Sequence, residues 1–180
     1  MTPKVSVDHD GVDGRIRPRA LRAILRQEVR ILRHEVDAIV VLLIMPLVLI
    51  PVLKDPIEAG LAAEGEVVDG AQFVVIGQAV MFGFFLVTYM GFAMFREHGW
   101  NTWDRVLAGP VSILQMIAGK MIPWMVIGGV QTVVILSLGI IFWDLSIPAG
   151  ALPGIVLLTF AYTVFLAAFA MLLIAFTDSI

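Results

Sequence analysis

Long apolar runs, separated by shorter polar segments, set the pattern of this chain. The runs occupy residues 36–53, 73–95, 121–143 and 154–176. A helix needs about 20 mainly apolar residues to cross the hydrocarbon core of a bilayer, and each run approaches or exceeds that length. Pro46 and Pro51 fall inside the first run, where they predict a kink or an early end of the helix. The pattern predicts an all-α polytopic membrane protein with four transmembrane helices.

A basic amphipathic segment, Pro18–Glu35, precedes the first run. Its arginines recur at spacings of three or four, which places them on one helix face: Arg19, Arg22, Arg26, Arg30 and Arg33. Such a helix beside a span is expected to lie in the membrane interface, its arginines toward anionic headgroups; a solvated charged face is the alternative. Glu28 and Glu35 fall in the apolar arc, so they pair with the protein's own arginines or face a partner. Residues 1–17 are polar and predict a disordered tail rather than a signal peptide.

The basic residues are distributed unevenly, and this predicts the orientation of the spans. Eight of the twelve lysines and arginines precede the first span. Three more lie between the second and third spans: Arg96, Arg105 and Lys120. The polar loop 54–72 and the connection 144–153 together contain one basic residue, Lys54. The positive-inside rule then places both termini and the 96–120 loop in the cytoplasm, with the chain in a plasma or inner membrane.

The composition agrees with a membrane protein. Hydrophobic residues make up 59% of the chain and charged residues 15%, against about 45–50% and 25% in soluble domains. Apart from Asp37 at the start of the first span, the predicted spans contain no Asp, Glu, Lys, Arg or His. Secondary transporters and proton pumps usually need such residues at depth, so this pattern argues against a self-powered transporter. The chain has no cysteine, which excludes disulfides and thiolate metal sites.

The spans offer little other candidate chemistry. Gln78 and Gln131 are amides at depth; hydrogen bonding between helices explains such side chains, and the alternative is that they line a substrate path. The three histidines are scattered over polar segments, so no catalytic site, metal site or cofactor is expected. Gly119-Lys120 is followed by Met121, so the chain has no Walker A loop for nucleotide. Work driven by ATP would therefore need a second chain to hydrolyse it.

The 96–120 loop carries more candidate contacts than a plain connector. Thr102 can cap a short helix through its hydroxyl, and the Gly-Pro step at 109–110 would end that helix. Two tryptophans and an acidic–basic pair lie on it or beside it: Trp100, Trp103, Asp104 and Arg105. Aromatic residues and arginine are favoured anchors between proteins. An aromatic belt at headgroup depth is the alternative.

This loop resembles the signature of type-2 permeases of the ATP-binding-cassette (ABC) transporter superfamily. Those chains carry an acidic residue, a Gly/Thr step, an acidic-basic-Leu-Leu helix, then Pro-Val-Ser and Gly-Lys before the next span. The residues that fit these places are Glu97, Thr102, Asp104, Arg105, Leu107, Pro110, Val111, Ser112, Gly119 and Lys120. The preceding order also fits: an amphipathic elbow helix, a span, an external loop and a second span. The resemblance covers about residues 20–180.

The resemblance implies an exporter that is driven by a partner. Residues 102–107 would form a coupling helix that docks in a cleft of a separate ATPase subunit, and Glu97 would anchor the loop. The ATPase-coupling residues would be Glu97, Thr102, Trp103, Asp104, Arg105 and Leu107. Two ATPase subunits would drive alternating access of two permease chains, and a hydrophobic substrate such as a drug or a lipid would leave the cell. The chain itself would not be an enzyme, and no nucleic acid is implied.

The number of spans departs from the family, which normally has six where four are predicted here. Residues 18–180 are therefore expected to be a transmembrane domain from a fragment, a truncated product or half of a split permease. The alternative function is a four-helix membrane scaffold or regulatory subunit that transports nothing. The short chain and the lack of buried charge favour that alternative, and the coupling-like loop counts against it.

Overall fold

The computed structural model describes residues 18–65, 70–99 and 112–177. This part of the chain is helical and contains no strand: α1 spans Pro18–Leu32, α2 Val36–Ala63, α3 Gly70–Gly99, α4 Ile113–Trp143 and α5 Leu152–Thr177, with a 3-10 turn at Ala149–Ala151. Helices α2 to α5 are long and apolar enough to cross a membrane. The prediction of an all-α polytopic membrane protein is confirmed. The predicted disordered tail, 1–17, lies outside the described residues.

Helix α2 continues well past its predicted end, so the prediction of a loop over 54–72 is wrong for most of its length. After a π-helical turn at Val40–Ile44, the helix runs on to Ala63, with Pro51 and Pro56 inside it. Each proline removes one backbone donor. Membrane helices tolerate this loss, because local π adjustments and neighbouring groups compensate for it. The leucine, alanines and glutamate that follow Pro56 favour helix, so the prolines do not end α2.

Other helices also begin or end at residues different from those predicted. Helix α3 extends beyond 73–95 in both directions, and α1 ends before Glu35. Helix α4 begins about two turns before the predicted span. Its start is set by a capping box, in which Gln115 N–H donates to Ser112 Oγ at 3.3 Å and Ser112 N–H donates to Gln115 Oε1 at 3.1 Å. Because the Gly119-Lys120 step continues this helix, Lys120 is a helical residue and not part of a loop.

Helix α3 is the centre of the bundle, since it packs against α2, α4 and α5, whereas α1 packs against α4. Two buried apolar clusters divide the bundle along its length. The cluster at the α1 end includes Leu42, Leu86, Met90, Met116, Trp124 and Leu166. The cluster at the other end consists of Ile50, Val74, Val75, Ala79, Ile135 and Leu145. The bundle is therefore held by side chains from α2, α3 and α4 at both ends, and α5 joins mainly at the α1 end.

Glycines on one face of α4 allow the helix to approach α3 closely. A Cβ atom added at Gly128 would lie 2.5 Å from Leu86 Cδ1, and one added at Gly139 would lie 2.7 Å from Val75 Cγ1. Both contacts are far shorter than van der Waals distance, and both partner side chains are fully buried. Gly129, one residue away, has no such neighbour within 4 Å. The packing of α3 on α4 therefore depends on the absence of a side chain at particular positions.

We expect Gly128→Ala to lower the free energy of unfolding by about 1–2 kcal/mol, because the added methyl group overpacks the contact with Leu86. Gly129→Ala is the matched control, since the same change meets open space there and improves helix propensity. Thermal or denaturant unfolding of the detergent-solubilised variants measures both changes. Equal stabilities of the two variants would contradict the close approach at Gly128.

Candidate functional site

A cluster of charged side chains joins α1 to the ends of the neighbouring helices. Among the described residues it comprises Glu28, Glu35, Arg96 and Lys120, and we refer to these four as the Glu28 cluster. Lys120 Nζ donates to Glu28 Oε1 at 2.7 Å, and Arg96 Nη2 donates to Glu28 Oε2 at 2.9 Å. Arg96 Nη1 donates to Glu35 Oε1 at 2.7 Å. Glu28 thus binds one cation with each carboxylate oxygen, and Arg96 bridges the two carboxylates.

The close packing of α1 on α4 brings Glu28 to Lys120. Gly119 lies under α1, and a Cβ atom added there would be 2.5 Å from Ile24 Cγ2, with Leu21 also in contact. The absence of a side chain at residue 119 lets the apolar face of α1 rest on the α4 backbone. Glu28 lies one turn after Ile24 on the same face, so it points toward the next residue of α4. The two acidic residues in the apolar arc therefore face the body of the protein.

Within the described residues, the cluster pairs two carboxylates with two cations, and most of it is strongly desolvated. The side chains of Glu28 and Lys120 are 2% and 3% exposed, and that of Arg96 is 15% exposed. Removing charges from water costs several kcal/mol per ion, and only short, well-directed pairing offsets that cost. Two carboxylates here meet two cations at 2.7–2.9 Å, which is the length of charge-assisted hydrogen bonds. Glu28 is the member that binds both cations, so its removal would weaken the compensation of two desolvated charges at once.

The cluster bears on two sequence expectations. Glu28 and Glu35 do pair with one of the protein's own arginines, Arg96 of α3, and Glu28 also binds Lys120 of α4. The lack of buried charge, taken to favour a scaffold, does not hold at this end of the bundle, where Glu28 and Lys120 are both buried. The sequence did contain a signal for these ion pairs. Two acidic residues lie in an apolar arc, and a single basic residue lies at the end of each of two spans. The sequence alone did not connect them, because the partners are 68 and 92 residues away from Glu28.

The predicted coupling residues lie in the segment of the chain between two members of the Glu28 cluster. Arg96 and Lys120 stand at the two ends of segment 97–119, and both bind Glu28. Glu97 belongs to the last turn of α3. The other coupling residues, Thr102, Trp103, Asp104, Arg105 and Leu107, lie outside the described residues. The structure thus fixes the two ends of the loop, and the role of the coupling residues stays a prediction.

The arginines of α1 lie on the side of the helix away from the Glu28 cluster. All five of the predicted interface residues are exposed: Arg19, Arg22, Arg26, Arg30 and Arg33. Within residues 18–65, 70–99 and 112–177, none of them forms an ion pair. Helix α1 therefore has a face bound to the protein through Glu28 and an outward face of unpaired positive charge.

Gln78 and Gln131 are both buried, at 5% and 0% exposure. Both amide atoms of Gln131 and Oε1 of Gln78 have no hydrogen-bond partner in the described part of the chain. These atoms therefore do not form the interhelical hydrogen bonds that would account for amide side chains inside the spans. Neither residue lines the grooves described next, so their place on a substrate path stays a prediction.

Two apolar grooves lie on either side of the contact between α4 and α5. One, of about 450 Å³, also borders α3, and the other, of about 460 Å³, lies between α4 and α5 alone. They share a wall formed by Thr132, Leu136, Ile155 and Thr159. No charged side chain lines either groove. Tyr162 donates to Val80 O at 2.6 Å and Thr132 donates to Gly128 O at 3.0 Å, so these hydroxyls are already paired. The grooves suit apolar, uncharged molecules.

We expect Glu28→Gln to lower the free energy of unfolding by about 3–5 kcal/mol, because the buried Lys120 would lose the carboxylate that it binds at 2.7 Å. The double variant Glu28→Gln/Lys120→Met should recover much of that loss, since it removes both charges and keeps an apolar stem in the same space. Lys54→Gln is the control, because Lys54 pairs with Asp55 at the surface, where ion pairs contribute little. Unfolding of the three variants in detergent measures these differences, and a Glu28→Gln variant as stable as the control would contradict the cluster.

Comparisons with known proteins place this chain in no known family. No family model matches it. No curated protein and no solved structure matches it either. The residues that bear on function are therefore those of the chain itself: the Glu28 cluster, the arginines of α1 and the two grooves.

Proposed function

We propose that this chain is the membrane-spanning permease subunit of an ABC-type exporter, which moves a hydrophobic substrate out across the membrane and is powered by a separate ATPase subunit. The observation that carries the proposal is the Glu28 cluster. It joins both ends of the segment with the coupling-like motif, at Arg96 and Lys120, to the amphipathic helix α1. A loop that receives force from a partner needs such a firm connection to the helices that it must move.

The cluster provides a route for that movement. A partner that displaces segment 97–119 would pull on Arg96 and Lys120, and both would transmit the displacement to Glu28 on α1. Arg96 also binds Glu35, which directly precedes the first residue of α2. Displacement of the loop would therefore shift α1, the start of α2, and the spans α3 and α4 together. A partner that binds one arrangement of this unit more tightly than another would shift the population toward it.

The grooves support a hydrophobic substrate. They are lined mainly by apolar side chains, and the hydroxyls of Thr132 and Tyr162 are already hydrogen-bonded. A charged molecule would therefore lose its hydration there without a charged partner in the lining. Apolar drugs and the acyl chains of lipids meet this requirement. The further partners in this proposal are an ABC ATPase subunit, a second permease copy or a complementary chain, and the lipid bilayer.

The ATPase contact can be tested by pull-down of the tagged protein from its own membrane. We expect a soluble ATPase to co-purify with the native chain and to be lost from the variant Trp103→Ala/Asp104→Ala/Arg105→Ala, because aromatic residues and arginine commonly anchor interfaces. The single changes Asp104→Ala and Arg105→Ala should weaken docking and leave membrane insertion intact. ATP-dependent efflux of a hydrophobic dye should fall in parallel.

A matched triple alanine variant at Lys54, Asp55 and Glu58 controls for loss of charged groups, since these residues lie far along α2 from the Glu28 cluster. It should retain both ATPase and efflux. If no ATPase accompanies the native chain, the non-transporting scaffold or regulatory subunit becomes the better assignment. Unchanged efflux in the Trp103/Asp104/Arg105 variant would contradict the coupling role of the loop.

We further propose that the Glu28 cluster lies at the cytoplasmic side of a plasma or inner membrane, with both termini on that side. The chain has no cysteine, so a single introduced cysteine can be labelled without background. Gln27 and Ser146 are both exposed and lie toward opposite ends of the bundle. In sealed cells, a membrane-impermeant maleimide should label Ser146→Cys and not Gln27→Cys, and permeabilisation should expose both. The opposite pattern would reverse the orientation.

A further inference from the structure

We propose that the outward face of α1 is a binding site for anionic phospholipid headgroups, and that lipid bound there is linked through the Glu28 cluster to the start of α4. The face is formed by Arg19, Arg22, Arg26 and Arg30 of α1 and by Arg33 in the turn directly after it, and we refer to it as the arginine face. The proposal does not depend on the transport function, because it rests only on the depth, charge and packing of α1.

The packing of α1 places it at headgroup depth. Helix α1 contacts α4 at Gly119 and is ion-paired to it at Lys120. The next residues, Met121–Trp143, are free of charge and extend for about 34 Å, close to the ~30 Å thickness of a hydrocarbon core. The hydrocarbon therefore begins at the level where α1 crosses α4.

The start of α2 agrees with this depth. Only a short turn after α1, the chain exposes apolar side chains at Val36, Ile39 and Val40, at 63%, 47% and 38%. Val29, which is 42% exposed, lies beside the arginine face on α1 itself. Exposed apolar side chains at this level can contact the acyl chains of a lipid. The residues around the arginine face therefore fit a lipid better than they fit an acidic soluble protein.

The charge of the face matches a phosphate headgroup. All five guanidinium groups are exposed, and none is ion-paired within the described residues. Arginine presents a planar set of donors that fits phosphate oxygens. The acidic residues nearest along the helix, Glu28 and Glu35, are turned inward and committed to Arg96 and Lys120. The face is therefore not neutralised by its own helix.

The same helix carries the linkage. Phosphate bound on the arginine face holds α1 at the membrane surface, while Glu28 on the opposite face holds Lys120 and Arg96. A ligand that orders α1 in this position favours the state in which those ion pairs are formed. By thermodynamic reciprocity, the intact cluster then favours lipid binding.

The lipid site is tested on the full chain in detergent, with one environment-sensitive fluorophore on Ala23→Cys, an exposed position beside the arginine face. Short-chain phosphatidylglycerol and phosphatidylcholine are titrated separately. We expect phosphatidylglycerol to bind at least tenfold more tightly, and its affinity to fall as salt is raised. Arg26→Gln should weaken that affinity about fivefold and Arg22→Gln/Arg26→Gln about 25-fold. Lys54→Gln, which removes one positive charge far along α2, should leave it unchanged.

Three outcomes would overturn the lipid site. The first is superimposable titrations with the two lipids, and the second is a native response in the Arg22→Gln/Arg26→Gln variant. The third is an equal response to inorganic phosphate, which would indicate a site for a soluble anion rather than a membrane lipid. All variants change exposed residues, so their helix content by circular dichroism should match that of the native chain.

Hydrogen exchange of the same samples tests the linkage. We expect phosphatidylglycerol to slow amide exchange in α1 and in residues 113–120 of α4. In Glu28→Gln the effect on α1 should remain and the effect on 113–120 should be lost. Glu28→Asp keeps the charge but shortens the side chain, and it serves where Glu28→Gln is too unstable. Slowing confined to α1 in the native chain would contradict the linkage and leave the lipid site in place.

Discussion

The buried ion pair between Glu28 and Lys120 is the interaction on which this end of the structure depends. It brings a carboxylate from an amphipathic surface helix and an ammonium group from a membrane span together at 2.7 Å, with both side chains almost fully buried. Neither charge could remain in that environment alone. Arg96 completes the arrangement, because it binds the second oxygen of Glu28 and extends the network to Glu35. Three short charged contacts thus join α1, α3, α4 and the residue that precedes α2.

The small size of particular residues makes this arrangement possible. Gly119 lets α1 rest on α4, which places Glu28 next to Lys120. Farther along the same helix, Gly128 and Gly139 let α4 approach α3. Helices in a membrane gain little from apolar contact as such, since lipid tails are as apolar as their side chains. Close backbone approach at glycines and a few well-paired polar groups therefore give the bundle its specific geometry.

The two ends of the bundle differ in chemistry, and this difference shapes the proposed roles. The α1 end carries the Glu28 cluster, the arginine face and the two ends of segment 97–119. Farther along the bundle, the grooves beside α4 and α5 carry no charged lining. A partner or an anionic lipid would meet the first surface, whereas an apolar molecule would fit the second. Helix α4 contributes to both, so movement at Lys120 would reach the groove wall at Thr132 through one continuous helix.

The sequence by itself determined the helical class, the number of candidate spans and the amphipathic character of α1. These properties follow from the local periodicity and length of the apolar runs, because a bilayer requires a spanning helix of a certain length and an apolar surface. The end of α2 was misjudged, because the effect of its prolines was outweighed by the flanking helix formers. The predicted third span was too short at its start, because the capping box at Ser112 begins a helix that continues through Lys120 into the span. Only the tertiary structure decided the partners of Glu28 and Glu35 and the surfaces that form the grooves. Those features depend on which helices become neighbours, and that is set by contacts between residues far apart in the chain.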